Sequence, residues 1–111
     1  MMRKFEFGKN WEKFLKVVDE KRIEEAEKSL KKLLNFESLK GKTFLDVGCG
    51  SGIFSLSAKN LGADVYSFDF DENAVNCTKK LKDKFYKNDT KWLIEKGDIL
   101  NKKIYYITGK I

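Results

Sequence analysis

A chain of 111 residues has room for one domain with a modest core, and its 41% apolar content argues against disorder. The net charge of +6 includes no histidine, which removes the commonest zinc ligand and general base, and no metal is expected. With no signal-type segment after Arg3-Lys4, no apolar run near a membrane span, and Cys49 and Cys77 read as reduced thiols, a cytoplasmic location without membrane contact is expected.

The N-terminal third has helical periodicity. Trp11, Phe14, Leu15 and Val18 recur at helical spacing, as do Ile23, Ala26, Leu30, Leu33 and Leu34. Asp19 is placed to cap the second of these helices, and Glu24 with Lys28 and Glu27 with Lys31 form favourable i,i+4 pairs on its wet face.

Next comes Thr43 to Val47, an apolar strand that runs into Gly48-Cys49-Gly50-Ser51-Gly52 and then a helix from Ile53. Three alternate glycines free the turning backbone of Cβ atoms, so a ligand can approach the main chain closely. Asp46 stands just before the loop, at the carboxyl end of the strand, where open α/β sheets bind their ligands. The loop lacks the lysine and hydroxyl of a phosphate-binding G-x-x-x-x-G-K-[ST] pattern, and it is one residue tighter than a dinucleotide G-x-G-x-x-G.

The charge around it has the wrong sign for phosphate. Residues 36–78 carry Lys40, Lys42 and Lys59 against Glu37, Asp46, Asp64, Asp69, Asp71 and Glu72, while both flanks are basic. An acidic loop suits a ligand with cationic groups better than a pyrophosphate.

Gly62 closes the first loop helix, and Ala63 to Asp69 reads as a second strand. Asp69 ends it 17 residues after Gly52, close to the spacing at which an acidic side chain accepts hydrogen bonds from a ribose diol. Asp71 is an N-cap for a helix over Glu72 to Phe85, and Lys91 to Glu95, closed by Gly97-Asp98-Ile99, reads as a third strand. The lysines at 79, 80, 82, 84 and 87 come with no RNA- or DNA-binding motif, so they read as a solvated helix face and nucleic acid is not an expected partner.

The run D-V-G-C-G-S-G, then F-D-F-D at the next strand end, then G-D-I after the third, resembles the class I S-adenosylmethionine-dependent methyltransferases over about residues 36–100. Residues 5–35 resemble the helical lead-in of small-molecule, quinone-type methylases. The resemblance implies an α/β fold, a Rossmann-like parallel sheet with flanking helices. Residues 1–35 would form the N-terminal helical lead-in and residues 36–111 an incomplete cofactor-binding portion.

By the same resemblance, Asp46 and the loop Gly48, Cys49, Gly50, Ser51 and Gly52 would hold the methionine part of S-adenosylmethionine. Asp69 would bind the ribose hydroxyls, Phe70 would flank the adenine, and Asp98 with Ile99 would meet the adenine edge. A cofactor with a sulfonium, an α-ammonium and no phosphate also fits the acidic loop. Cys49 reads as a small loop residue, since no histidine exists to activate it.

The family's sheet order is 3-2-1-4-5-7-6, and this sequence supplies about three of those strands. Acceptor-binding and catalytic residues come from strand 4 onward, so none is carried over. The expected function is methyl transfer to a small-molecule acceptor. The alternatives are a non-catalytic S-adenosylmethionine-binding module, a half-enzyme completed by another chain and, disfavoured by the loop, a NAD-dependent oxidoreductase. With no strand 4, the edge of Thr43 to Val47 is left open, so either Ile104 to Thr108 folds back on it or two chains meet there; self-association is the favoured expectation because the connection from Ile99 is short.

Overall fold

The computed structural model describes residue 13, residues 15–97 and the backbone of residues 105–109. Its regular elements are α1 (Glu20–Leu34), β1 (Lys42–Val47), α2 (Ile53–Asn60), β2 (Asp64–Asp69), α3 (Glu72–Phe85), β3 (Trp92–Lys96) and β4 (Tyr105–Gly109). Two of the helices begin on a local signal, and one ends on one. Asp19 accepts a hydrogen bond from the Arg22 N–H and Asp71 one from the Asn73 N–H, so α1 and α3 start on capped amides. Asn35, in the left-handed region at φ 58°, closes α1 by donating its N–H to the Lys31 carbonyl.

The strands form one sheet in the order β3-β2-β1-β4. β1 and β2 are parallel, with Phe44 opposite Val65 and Asp46 opposite Ser67, and β2 and β3 are parallel, with Val65 opposite Trp92. A row of Phe44, Val65 and Trp92 therefore crosses the sheet on one face. α2 packs on β1 and β2, α3 on β2 and β3, and α1 on α2. The core between them is Leu30, Leu39, Phe44, Leu56, Leu81 and Trp92, each at most 1% exposed. Burying a side chain of this kind contributes about 1.5–3 kcal/mol. The periodicity in α1 holds for Ile23, Ala26 and Leu30, but Leu33 is 69% exposed and belongs to the wet face. Residues 15–17 are helical, while Trp11 and Phe14 lie outside the described residues.

One expectation is corrected here. The edge of β1 is not open to a second chain: β4 lies antiparallel against it, with Thr43 opposite Thr108, Phe44 opposite Ile107 and Asp46 opposite Tyr105. Length explains why. Eight residues separate Lys96 from Tyr105. They can span up to ~27 Å, whereas the three strand spacings from β3 to β4 need only ~14 Å. The connection that looked too short for a return is long enough to cross the carboxyl end of the sheet.

Candidate functional site

The loop between β1 and α2 hangs from the second strand. The N–H groups of Gly48 and Cys49 both donate to the Phe68 carbonyl, at 2.8 and 2.9 Å. Gly48, Gly50 and Gly52 adopt φ of 81°, 57° and 86°, left-handed conformations that side-chain-bearing residues rarely take. A Cβ on Gly48 would meet nothing within 4 Å among the described residues, so that backbone faces open space. Ser51 turns its hydroxyl back to accept the Ile53 N–H at 3.3 Å. Thr78 of α3 donates to the Gly50 carbonyl at 3.2 Å and lies 3.3 Å from the Cys49 sulfur, fixing the loop from below.

Asp69 stands beside this loop because β1 and β2 run in register to their carboxyl ends. It is 8% exposed, and its two oxygens are already engaged: Oδ2 accepts the Gly50 N–H at 3.0 Å and Oδ1 the Asp71 N–H at 2.9 Å. Each carboxylate oxygen keeps a further lone pair, so the group can still accept from a diol. Phe70 follows with its ring 67% exposed. Asp98 and Ile99 lie outside the described residues.

Asp46 sits deeper than a direct ligand-binding role would require. It is 1% exposed and accepts a 2.6 Å hydrogen bond from the Ser55 hydroxyl of α2. Burial raises its pKa to about 6; the Ser55 bond pulls the value down, and the neighbouring Asp69 charge pushes it up. Burial likewise raises Cys49 to about 12 and Cys77 to about 11, so both thiols are protonated and inert near neutrality.

The structure thus brings Asp46, Gly48, Cys49, Gly50, Ser51, Gly52, Asp69 and Phe70 to one end of the sheet. The sequence reading missed Thr78, Ser55, Ser67 and Trp92. A trace of Thr78 was present: it is a polar residue in the buried stripe Ala74, Val75, Cys77, Thr78 and Leu81. Among the described residues, no group of three or more His, Cys, Asp or Glu side chains could hold a metal ion, and no helix is long and apolar enough to cross a membrane.

The site is therefore a left-handed glycine loop over a buried acid, tied to a second acid at the next strand end. The sequence model of the family described as ribosomal protein L11 methyltransferase (PrmA) matches residues 25–105. This chain belongs to that family. The ribosomal protein L11 methyltransferase of Helicobacter hepaticus is 56% identical over 45 residues, covering 40% of this chain and 14% of that protein. That of Thermotoga maritima is 44% identical over 62 residues, 55% of this chain and 22% of that protein. That of Legionella pneumophila (strain Corby) is 35% identical over 74 residues, 66% of this chain and 26% of that protein. The chain therefore spans about a quarter or less of the length of these curated relatives. No solved structure matches it.

Membership in the PrmA family corrects the expected partner. The small-molecule acceptor, and with it the likeness of residues 5–35 to quinone-type methylases, gives way to a family and relatives named for methylating a ribosomal protein. The physical reason for the error is that acceptor recognition is not carried by the cofactor motifs on which the reading rested.

Proposed function

We propose that this chain is the S-adenosylmethionine-binding portion of a methyltransferase whose acceptor is a ribosomal protein of the L11 kind. The observation that carries this reading is the Gly50 N–H donating to Asp69 Oδ2 at 3.0 Å, which sets the open glycine backbone and an acidic strand end side by side. No Lys or Arg lies between Lys42 and Lys59, so nothing on the loop favours a phosphate.

In this reading the loop backbone from Gly48 to Gly52 cradles the methionine part, with the Asp46 charge beneath it. Asp69 accepts from the ribose hydroxyls through its remaining lone pairs, and the exposed Phe70 ring flanks the adenine. By the same reading Asp98 and Ile99, outside the described residues, would meet the adenine edge. When bound, the cofactor supplies a methyl group activated by its sulfonium. The residues described here bind and orient it, and the polypeptide's acceptor contacts lie outside them.

Calorimetry with S-adenosylmethionine and with NAD tests the reading. S-adenosylmethionine should bind and NAD should not. Asp69→Ala should weaken binding by about 1.5–3 kcal/mol per charge-assisted bond lost. Because Asp69 also anchors Gly50, the amide spectrum of the variant is compared with wild type to separate a lost ligand contact from a lost loop. A folded Asp69→Ala with unchanged affinity would move the site elsewhere. The acceptor is tested by labelled methyl transfer to purified ribosomal protein L11 from a polypeptide that contains this chain; no label on L11 would reject that part.

A further inference from the structure

Behind the loop runs a line of buried polar groups that crosses four elements. The Trp92 indole Nε1–H of β3 donates to Ser67 Oγ of β2 at 2.9 Å. Ser67 Oγ and Ser55 Oγ of α2 are 2.7 Å apart, and Ser55 Oγ donates to Asp46 Oδ2 of β1 at 2.6 Å. None of the four side chains is more than 1% exposed.

The sense of the line follows from counting hydrogens. An indole N–H only donates, and a serine hydroxyl has one hydrogen to give. Ser55 gives its hydrogen to Asp46, so the hydrogen between the two serines is that of Ser67. Ser67 in turn accepts from Trp92. Three donors therefore point the same way and end on one carboxylate oxygen, each polarising the next in a low-dielectric interior.

Nothing else described favours the charged form of Asp46. Asp69 on β2 repels it, the Cys49 thiol of the loop and the Cys77 thiol of α3 are neutral, and the Lys59 amine of α2 is 2.8 Å from Asp89. On β4, Tyr105 stands opposite Asp46 in the register.

We propose that Trp92, Ser67 and Ser55 are positioning residues for the cofactor loop: in series, they hold Asp46 as a carboxylate beneath Gly48 to Gly52, where its charge draws the cationic end of S-adenosylmethionine. The inference rests on the S-adenosylmethionine reading for its ligand, but the donor series itself can be tested without any ligand.

The first arm follows the Asp46 carboxyl carbon and the Trp92 indole N–H by NMR during a pH titration of the unliganded chain. The carboxyl should titrate near pH 6, and the indole resonance should move with the same midpoint. Ser55→Ala, Ser67→Ala and Trp92→Phe should each raise the midpoint, Ser55→Ala most, while Ser67→Thr, which keeps a hydroxyl, should stay near wild type. If Trp92→Phe does not fold, the wild-type indole resonance still decides. A flat indole resonance together with an unmoved midpoint in Ser67→Ala overturns the series.

The second arm measures S-adenosylmethionine affinity above and below that midpoint. Wild type should bind roughly tenfold more weakly below it, and Ser67→Ala should show the loss beginning at higher pH. Affinity independent of pH, in a chain whose carboxyl titrates as expected, overturns the link to the cofactor. Absence of any binding at every pH would reject the S-adenosylmethionine reading and the link to it, while the first arm still decides the donor series.

Discussion

Gly52 and Thr78 stand so close that a Cβ on the glycine would come within 2.8 Å of the threonine Oγ1, 2.9 Å of its Cγ2 and 3.1 Å of its Cα. The residue opening α2 is thus pinned against the buried face of α3, and the loop geometry depends on the absence of one methyl group. Gly52→Ala faces two penalties. A left-handed alanine costs roughly 1–2 kcal/mol, and overpacking against a fully buried residue about 1–3 kcal/mol more. Gly48→Ala faces only the first, since its Cβ would meet nothing within 4 Å among the described residues. Urea denaturation of both variants should therefore place Gly52→Ala clearly below Gly48→Ala. Equal losses would mean that helix α3 gives way easily.

Asp46→Asn should stabilise the protein at neutral pH. A buried carboxyl whose pKa rises from 3.8 to about 6 holds its proton more tightly when folded than when unfolded, so ionising it costs folding free energy. Stability conferred by the folded-state proton is present below the unfolded value and is lost as pH climbs to about 6. At pH 7 the cost is on the order of 3 kcal/mol. The amide cannot ionise, so the slope of stability against pH between these values should flatten in the variant. S-adenosylmethionine affinity should fall at the same time. A variant less stable than wild type at neutral pH would show that the ionised carboxylate supports the fold.

Much of the scaffold was legible because its signals are local. Asp19 and Asp71 mark two helix starts, an apolar run before the glycines marks β1, and Gly62 and Asp69 bracket β2, so these elements fall within a residue or two of the expected bounds. What could not be read is what depends on distant residues meeting. Ile104 to Thr108 looked like a strand, but nothing local says that it turns back beside β1. Ser55 and Ser67 lie 12 residues apart, and Trp92 another 25 on, so their alignment behind Asp46 exists only after the sheet has formed. The engagement of Asp69 by the Gly50 N–H, 19 residues away, was hidden for the same reason.

The Lys59 amine meets the Asp89 carboxylate at 2.8 Å, with the lysine side chain 8% exposed, and lies 5.4 Å from the centre of the Tyr86 ring. The hydrogen bond from Lys59 is the main cause holding the Asp89 pKa below 3.8. A depressed carboxylate contributes stability that is present above the unfolded value and is lost as pH falls through the folded one. Wild type should thus lose stability at pH values below about 4. Lys59→Met keeps the packing but leaves the carboxylate with only the Lys91 N–H bond at 2.7 Å, at a cost of about 1.5–3 kcal/mol near neutrality. Chemical denaturation across the acid range checks both statements; parallel pH profiles for the two proteins would remove the pair from the account.

Removing residues 105–111 should convert a closed edge into a reactive one. β4 pairs with β1 along Lys42 to Asp46, and without it a row of backbone N–H and C=O groups is exposed. Phe44, Leu45 and Val47 make that edge apolar, and between Lys42 and Val47 no proline or further lysine blocks pairing with another strand. The truncated chain should associate with itself as its concentration rises, while the intact chain should not. Sedimentation velocity over a concentration series measures this. Amide exchange adds the location: residues 43–47 should exchange fast in the dilute truncated chain and slow again when it associates. The amides of Val65 and Ser67 in β2 should stay protected throughout, which separates an opened edge from an unfolded protein. A truncated chain that remains monomeric at high concentration, with 43–47 exchanging freely, would show that this edge does not recruit a partner strand.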